Sequence, residues 1–167
     1  MAEFGQKIDV VSTVKIKKLI YDIENETYLR GRTIQNKDNH KEVASMQASD
    51  DAENLLKLLR SITSAFATVK TELGEYLDED GTTTDNKPVD GTSDLVLNLK
   101  MPSNFNRAAT AGIANAIHEY IKHRAVAEWY TVTNKADAET YFSLANESLQ
   151  RMLQTVSKRS RPEPPTD

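Results

Sequence analysis

DDAENLLKLLRSITSAFATVKTELGEYL, residues 50–77, is the stretch whose reading decides the fold. Ala52, Leu55, Leu59, Ile62, Phe66, Val69, Leu73 and Tyr76 alternate spacings of three and four without a break, which is the repeat of one helix face. Ser49, Asp50 and Asp51 offer an N-cap and negative charge where free backbone N–H groups need both, and Asp78 marks the far limit. The pattern predicts a helix from Asp50 to Leu77. Leu56, Leu58 and Leu77 widen the apolar stripe beyond a two-stranded seam, so the helix is expected to pack among several others.

On the N-terminal side, Ile16, Leu19, Ile20, Ile23 and Thr27 recur at helical intervals behind Ser12, and a helix is expected from Thr13 to Arg30 with Ser12 as its cap. Lys15, Lys17, Lys18, Asp22 and Glu26 form its solvated face, with Arg30 following Glu26 in the favourable order. Gly31 weakens the helix, and the polar run from Gln35 to Lys41 reads as a connection, with a short helical turn near Glu42 to Gln47.

On the C-terminal side the chain turns to Asp, Gly, Thr and Pro, and then to Leu95-Val96-Leu97-Asn98-Leu99-Lys100, in which alternate leucines share one side of a strand. A lone strand leaves its backbone groups unpaired, so it requires a partner. Either residues Gly81 to Thr84 fold back across Pro88 to Gly91, or another chain supplies one. After Pro102, with Ser103 or Asn104 as cap, a third helix presents Phe105, Ala109, Gly112, Ile113, Ala116, Ile117, Tyr120, Ile121 and Ala127. After Thr131 to Asn134, a fourth presents Ala138, Tyr141, Phe142, Ala145, Leu149, Met152, Leu153 and Val156. So short a connection makes the last two helices an antiparallel hairpin.

The expected fold class is therefore mainly α, a four-helix-bundle-like domain with one inserted loop and β-strand or hairpin. One helical domain is expected over 1–157, with the excursion at 78–101 and an extended tail at 158–167.

Composition narrows the function. The chain of 167 residues has 38% hydrophobic and 28% charged residues, a globular balance. It contains no cysteine, which removes thiol catalysis and Cys-ligated metal. A net charge of -4 disfavours general nucleic-acid binding. No apolar run approaches a membrane span and Met1 to Ile8 lacks a signal peptide, so a product made in the cytoplasm is expected.

Motifs for chemistry are sparse. Glu119 and His123 stand one helical turn apart, but His118 and His123 are five apart and diverge, so HExxH is absent and a solvated face is expected. The acidic residues Asp78, Asp80, Asp85, Asp90 and Asp94 lack the glycine and glutamate of a calcium loop. There is no phosphate-cradling glycine motif and no GxSxG elbow. The clusters Lys15/Lys17/Lys18 and Lys158/Arg159/Arg161 suit solubility and helix-dipole compensation. No catalytic residue, cofactor or metal is expected, and the chain reads as an assembly protein.

Two blocks, LVLNLKMPSNFNRA at 95–108 and NAIHEYIKHRAVAEWYTVTNKADAETYFSLANESLQ at 115–150, resemble small neck proteins of tailed bacteriophages, among them virion proteins of phages from gut bacteria. The resemblance implies a head-tail connector subunit: a helical body in a homo-oligomeric ring between portal and tail, contacting other neck proteins and touching passing DNA, without a membrane. It implies a heterologous interface built by the excursion, through Thr82, Thr84, Val89, Leu95, Val96, Leu97 and Leu99. The alternative is a helical adaptor that engages a protein partner through Arg159, Arg161 and Pro162 of the tail.

Overall fold

The computed structural model describes residues 6–48, 52–84 and 94–162. In chain order these form β1 (Ile8–Lys15), α1 (Ile16–Ile34), α2 (His40–Met46), α3 (Ala52–Glu72), β2 (Leu77–Asp78), β3 (Asp94–Met101), a 3-10 turn (Arg107–Ala109), α4 (Thr110–Thr133) and α5 (Lys135–Val156). The fold is mainly helical, with one small antiparallel sheet of order β1-β3-β2.

The sheet corrects the N-terminal expectation. Residues 13–15 are strand rather than helix, and Ser12 caps nothing, because it faces the core at 2% exposure. The β-branched run Val10-Val11-Ser12-Thr13-Val14 favours an extended backbone, and its period of two buries Val10, Ser12 and Val14 while exposing Asp9, Val11, Thr13 and Lys15. At Ile16 the period changes, and Ile16, Leu19, Ile23, Thr27 and Gly31 become the inner side of α1.

β3 is the central strand. It pairs with β1 along its whole length, from Ile8 opposite Met101 to Lys15 opposite Asp94, and with β2 through Leu77 and Asp78. The Lys100 N–H also donates to the Tyr76 carbonyl at 2.7 Å. Beyond β2 the turn at Gly81, whose φ of 80° suits glycine, brings two threonines back against the same edge. Val96 N–H donates to Thr83 Oγ1 at 2.9 Å and Asn98 N–H to Thr82 Oγ1 at 3.0 Å. The partner of the expected lone strand is thus its own chain; 81–84 do fold back, while 88–91 lie outside the described residues.

The same competition shortens α3. The helix was expected to reach Leu77 but ends at Glu72, where the chain turns through Gly74 so that Tyr76 and Leu77 can pair with β3. Its stripe, including Leu58, Leu59, Ile62, Ala65, Phe66, Val69 and Leu73, is buried against α4. At the other end, Gly31 sits inside α1 rather than weakening it: a Cβ there would stand 3.1 Å from Val43 Cγ1, so glycine lets α2 approach. α2 is held further by the Trp129 Nε1–H bond to the Met46 carbonyl at 2.7 Å and by the Ala48 N–H bond to Thr27 Oγ1 at 3.0 Å.

α4 starts later than expected. Phe105 lies before it, buried, and Asn106 rather than Ser103 or Asn104 accepts the Ala108 N–H, at 3.1 Å. α4 packs on α1, α3 and α5, and only Asn134 separates it from α5. Asn134 does not cap α5 with its side chain; its amide donates to the Asp137 carboxylate at 2.7 Å.

Leu97 is 1% exposed at the middle of the central strand. Leu97→Ala is expected to cost about 2–5 kcal/mol, by lost transfer energy and the cavity left behind. Urea unfolding measures this, with Val11→Ala on the exposed face of β1 costing less than about 1 kcal/mol.

Candidate functional site

The residues expected to form an interface fall into three groups. Leu95, Leu97 and Leu99 are 2%, 1% and 0% exposed and belong to the core of their own chain. Thr82 is buried too, its hydroxyl spent on Asp78 and Asn98 backbone groups. Val96 lies half-buried on the outer sheet face opposite Thr13, Thr84 is exposed, and Val89 lies outside the described residues.

The tail is also partly engaged. Ser160 N–H donates to the Asn104 carbonyl at 2.8 Å and Asn106 N–H to the Lys158 carbonyl at 3.1 Å, so 158–160 run alongside 104–106. The Arg159 guanidinium donates to the Val156 carbonyl at 2.8 Å and to Tyr76 Oη at 3.3 Å. Arg161 and Pro162 are exposed.

Of the face expected to be solvated, Lys15, Lys17 and Lys18 are exposed, while Asp22 and Glu26, with Arg30, form a polar seam. Asp22, Glu26 and Arg30, each one turn after the last, reach three different side chains on α4 and α5. The Asp22 carboxylate meets His118 Nε2 at 2.6 Å, Glu26 accepts from Tyr141 Oη at 2.8 Å, and Arg30 makes a two-pronged pair with Asp137 at 2.6 and 3.0 Å. The Arg30 hydrogen bond is the main cause that holds the Asp137 carboxyl below its usual range. Beside them Tyr130 is fully buried and packs edge-on to Tyr141, with ring centroids 5.3 Å apart. Burial pushes both phenols up, with Glu26 adding to the effect at Tyr141.

The pair Glu119/His123 is partly buried rather than solvated, and its chemistry includes a serine that the sequence does not bring near it. His123 Nδ1 lies 3.2 Å from Ser148 Oγ, and Glu119 Oε2 lies 3.7 Å from His123 Nε2. Ser148 is 2% exposed and stands in the interior of α5, where its N–H is occupied by the helix, so the group suits a hydrogen-bonded link between α4 and α5. No group of three or more metal-type ligands occurs among the described residues.

What remains open to partners is elsewhere. Tyr21, Tyr28 and Leu29 are 66%, 41% and 52% exposed on α1, and Phe142 is 39% exposed on α5, next to the Tyr141 that Glu26 of α1 holds. The second exposed feature is β1, which has one neighbour among the described residues. Reading the chain for core periodicity missed both. The off-stripe spacing of Tyr21 and Tyr28, seven apart, and the alternation from Asp9 to Lys15 were the available signals. No helix among the described residues is long and apolar enough to cross a membrane. Compared with protein-family models, curated proteins and solved structures, the chain has no significant match.

His123 is expected to make stability depend on pH. Burial, aided by Lys122, lowers its folded pKa below 6.5, against the opposing pull of Glu119 and Glu26. The unfolded chain therefore takes up a proton that the folded chain resists, and stability falls as pH drops below about 6.5. Urea midpoints at pH 7.5 and 5.5 should differ less in His123→Gln than in the parent; equal differences would remove His123 from the account.

Proposed function

We propose that this chain is a non-enzymatic structural subunit of a phage virion, a head-tail connector or neck ring protein that links portal to tail. Its four long helices would act as a four-helix-bundle-like body, repeated around a ring through which DNA passes. The observation that carries the reading is the exposure of the large side chains Tyr21 and Tyr28, seven residues apart on one stripe of α1, with Leu29 exposed about a quarter-turn away. Clustered exposed apolar side chains mark protein contacts, whereas single ones need no partner.

The interface moves accordingly. The inner leucines of the excursion serve the body, so the α1 face takes over as the surface presented to a neighbouring subunit. The polar seam supports this role, because pinning α1 to α4 and α5 at three successive turns keeps the face rigid while load passes between subunits. A ring subunit must present one surface to the preceding copy and another to the following one.

A second reading, a helical adaptor for a protein partner, is favoured by one observation. Arg161 and Pro162 emerge exposed beyond the docked residues 158–160. A defined partner captured by the full chain and lost on Arg161→Glu would support it.

The test of the ring is the solution mass across a concentration series, by light scattering coupled to size exclusion. A discrete multi-subunit species is expected, reduced in mass by Leu29→Glu with an unchanged helical circular dichroism. A parent that never exceeds a dimer would overturn the ring.

A further inference from the structure

The backbone groups of β1 are divided by parity. Val96, Asn98 and Lys100 of β3 turn their N–H groups toward Thr83, Thr82 and Tyr76. Alternation along a strand then gives the odd residues of β3 to β1, and the register hands them Ile8, Val10, Ser12 and Val14. Asp9, Val11, Thr13 and Lys15 therefore point their N–H groups outward, along an edge with no strand beside it among the described residues. On the inner face beside that edge, Ser12 Oγ is buried and has no hydrogen-bond partner among the described residues. An open edge of this length is a template for another strand.

We propose that the β1 edge is closed by β1 of a second copy, antiparallel, with Ser12 opposite Ser12 on the twofold axis. Outward groups must meet outward groups, so odd residues face odd residues. With Ser12 at the centre, Asp9 faces Lys15 of the second copy, Val11 faces Thr13, and each contact recurs across the axis. Shifting the centre to Val11 sets Lys7 against Lys15, and shifting it to Thr13 leaves Asp9 beyond the partner strand; both lose the charge match. Within each chain Asp9 is paired with Lys100 and Lys15 stands opposite Asp94. The joined sheet thus carries a continuous row Lys100, Asp9, Lys15, Asp94 of alternating sign across the two copies. The central pair is of the type whose side chains lie closest.

This contact is separate from the α1 face and does not depend on the ring. An isologous pair closes on itself and cannot propagate one. Its test is made on the full chain. The sequence has no cysteine, so Ser12→Cys places one reporter thiol per copy. Mild oxidation is expected to link most of the chain as a disulfide dimer, since facing strand positions suit disulfide geometry. Val11→Pro removes an outward N–H without touching the bonds to β3, and is expected to abolish the dimer while keeping its circular dichroism. If that proline disturbs the fold, Lys15→Glu serves instead: it sets like charges together twice and should raise the dimer dissociation constant about tenfold or more. A parent that stays monomeric at high concentration overturns the proposal. So does a Ser12→Cys chain that resists linkage, or a folded Val11→Pro or Lys15→Glu chain that associates like the parent. Leu29→Glu separates the two surfaces, because it is expected to remove the ring and leave the Ser12→Cys linkage intact.

Discussion

The structure hangs on the hydrogen-bonding obligations of one buried strand. Asp94–Met101 carries Leu95, Leu97, Leu99 and Met101 into the core, and burial forbids leaving the intervening N–H and C=O groups to water. Two distant pieces of chain are recruited to meet that demand. Ile8–Lys15 takes one side in full, and Leu77–Asp78 with Thr82 and Thr83 takes the other. The ends of α1 and α3 follow: α1 cannot begin until β1 has finished pairing, and α3 must stop early enough for Tyr76 to turn out and accept from Lys100.

This explains what could and could not be read from the sequence. Helical periodicity is local, so the long helices were legible from their stripes, and so was the alternation of β3. The longer partner of β3 is fixed by contacts some 80 to 90 residues away in sequence, as in Val10 opposite Leu99, and no local pattern reports it. Ser12 shows the cost of a local rule: a serine before an apolar helix is a natural cap, yet the β-branched neighbours and the waiting strand decided otherwise. Of the candidate site, Leu95, Leu97 and Leu99 answer to the core of their own chain. The exposed side chains of α1 lie off the core stripe, where the seven-residue spacing of Tyr21 and Tyr28 is a weaker signal than a buried repeat.

The polar seam carries a related lesson about charge. Asp22, Glu26 and Arg30 look like a self-contained ladder along one helix, where such pairs contribute only about 0.2–0.5 kcal/mol each. Half-buried against α4 and α5 they act between helices, and the two-pronged Arg30–Asp137 pair fixes orientation as well as distance. Around them Tyr130 and Tyr141 supply apolar bulk. The seam therefore sets the rotation of α1 about its axis and, with it, the direction in which Tyr28 and Leu29 point.

The strip formed by 158–160 against 104–106 bears on how the chain is made. Asn104 and Asn106 leave the ribosome long before Lys158 and Ser160, so the entrance to α4 waits with open backbone groups while the whole hairpin is synthesised. Only when α5 has emerged and its last turn has swung back do these groups find partners. The step is a latch that fastens late and joins the foot of α5 to the turn ahead of α4. Through Arg159 and Tyr76 it also touches the strand end beside β3. The pairing at the foot of α5 is thereby the last to finish, and a chain interrupted inside α5 would leave the turn ahead of α4 unfastened.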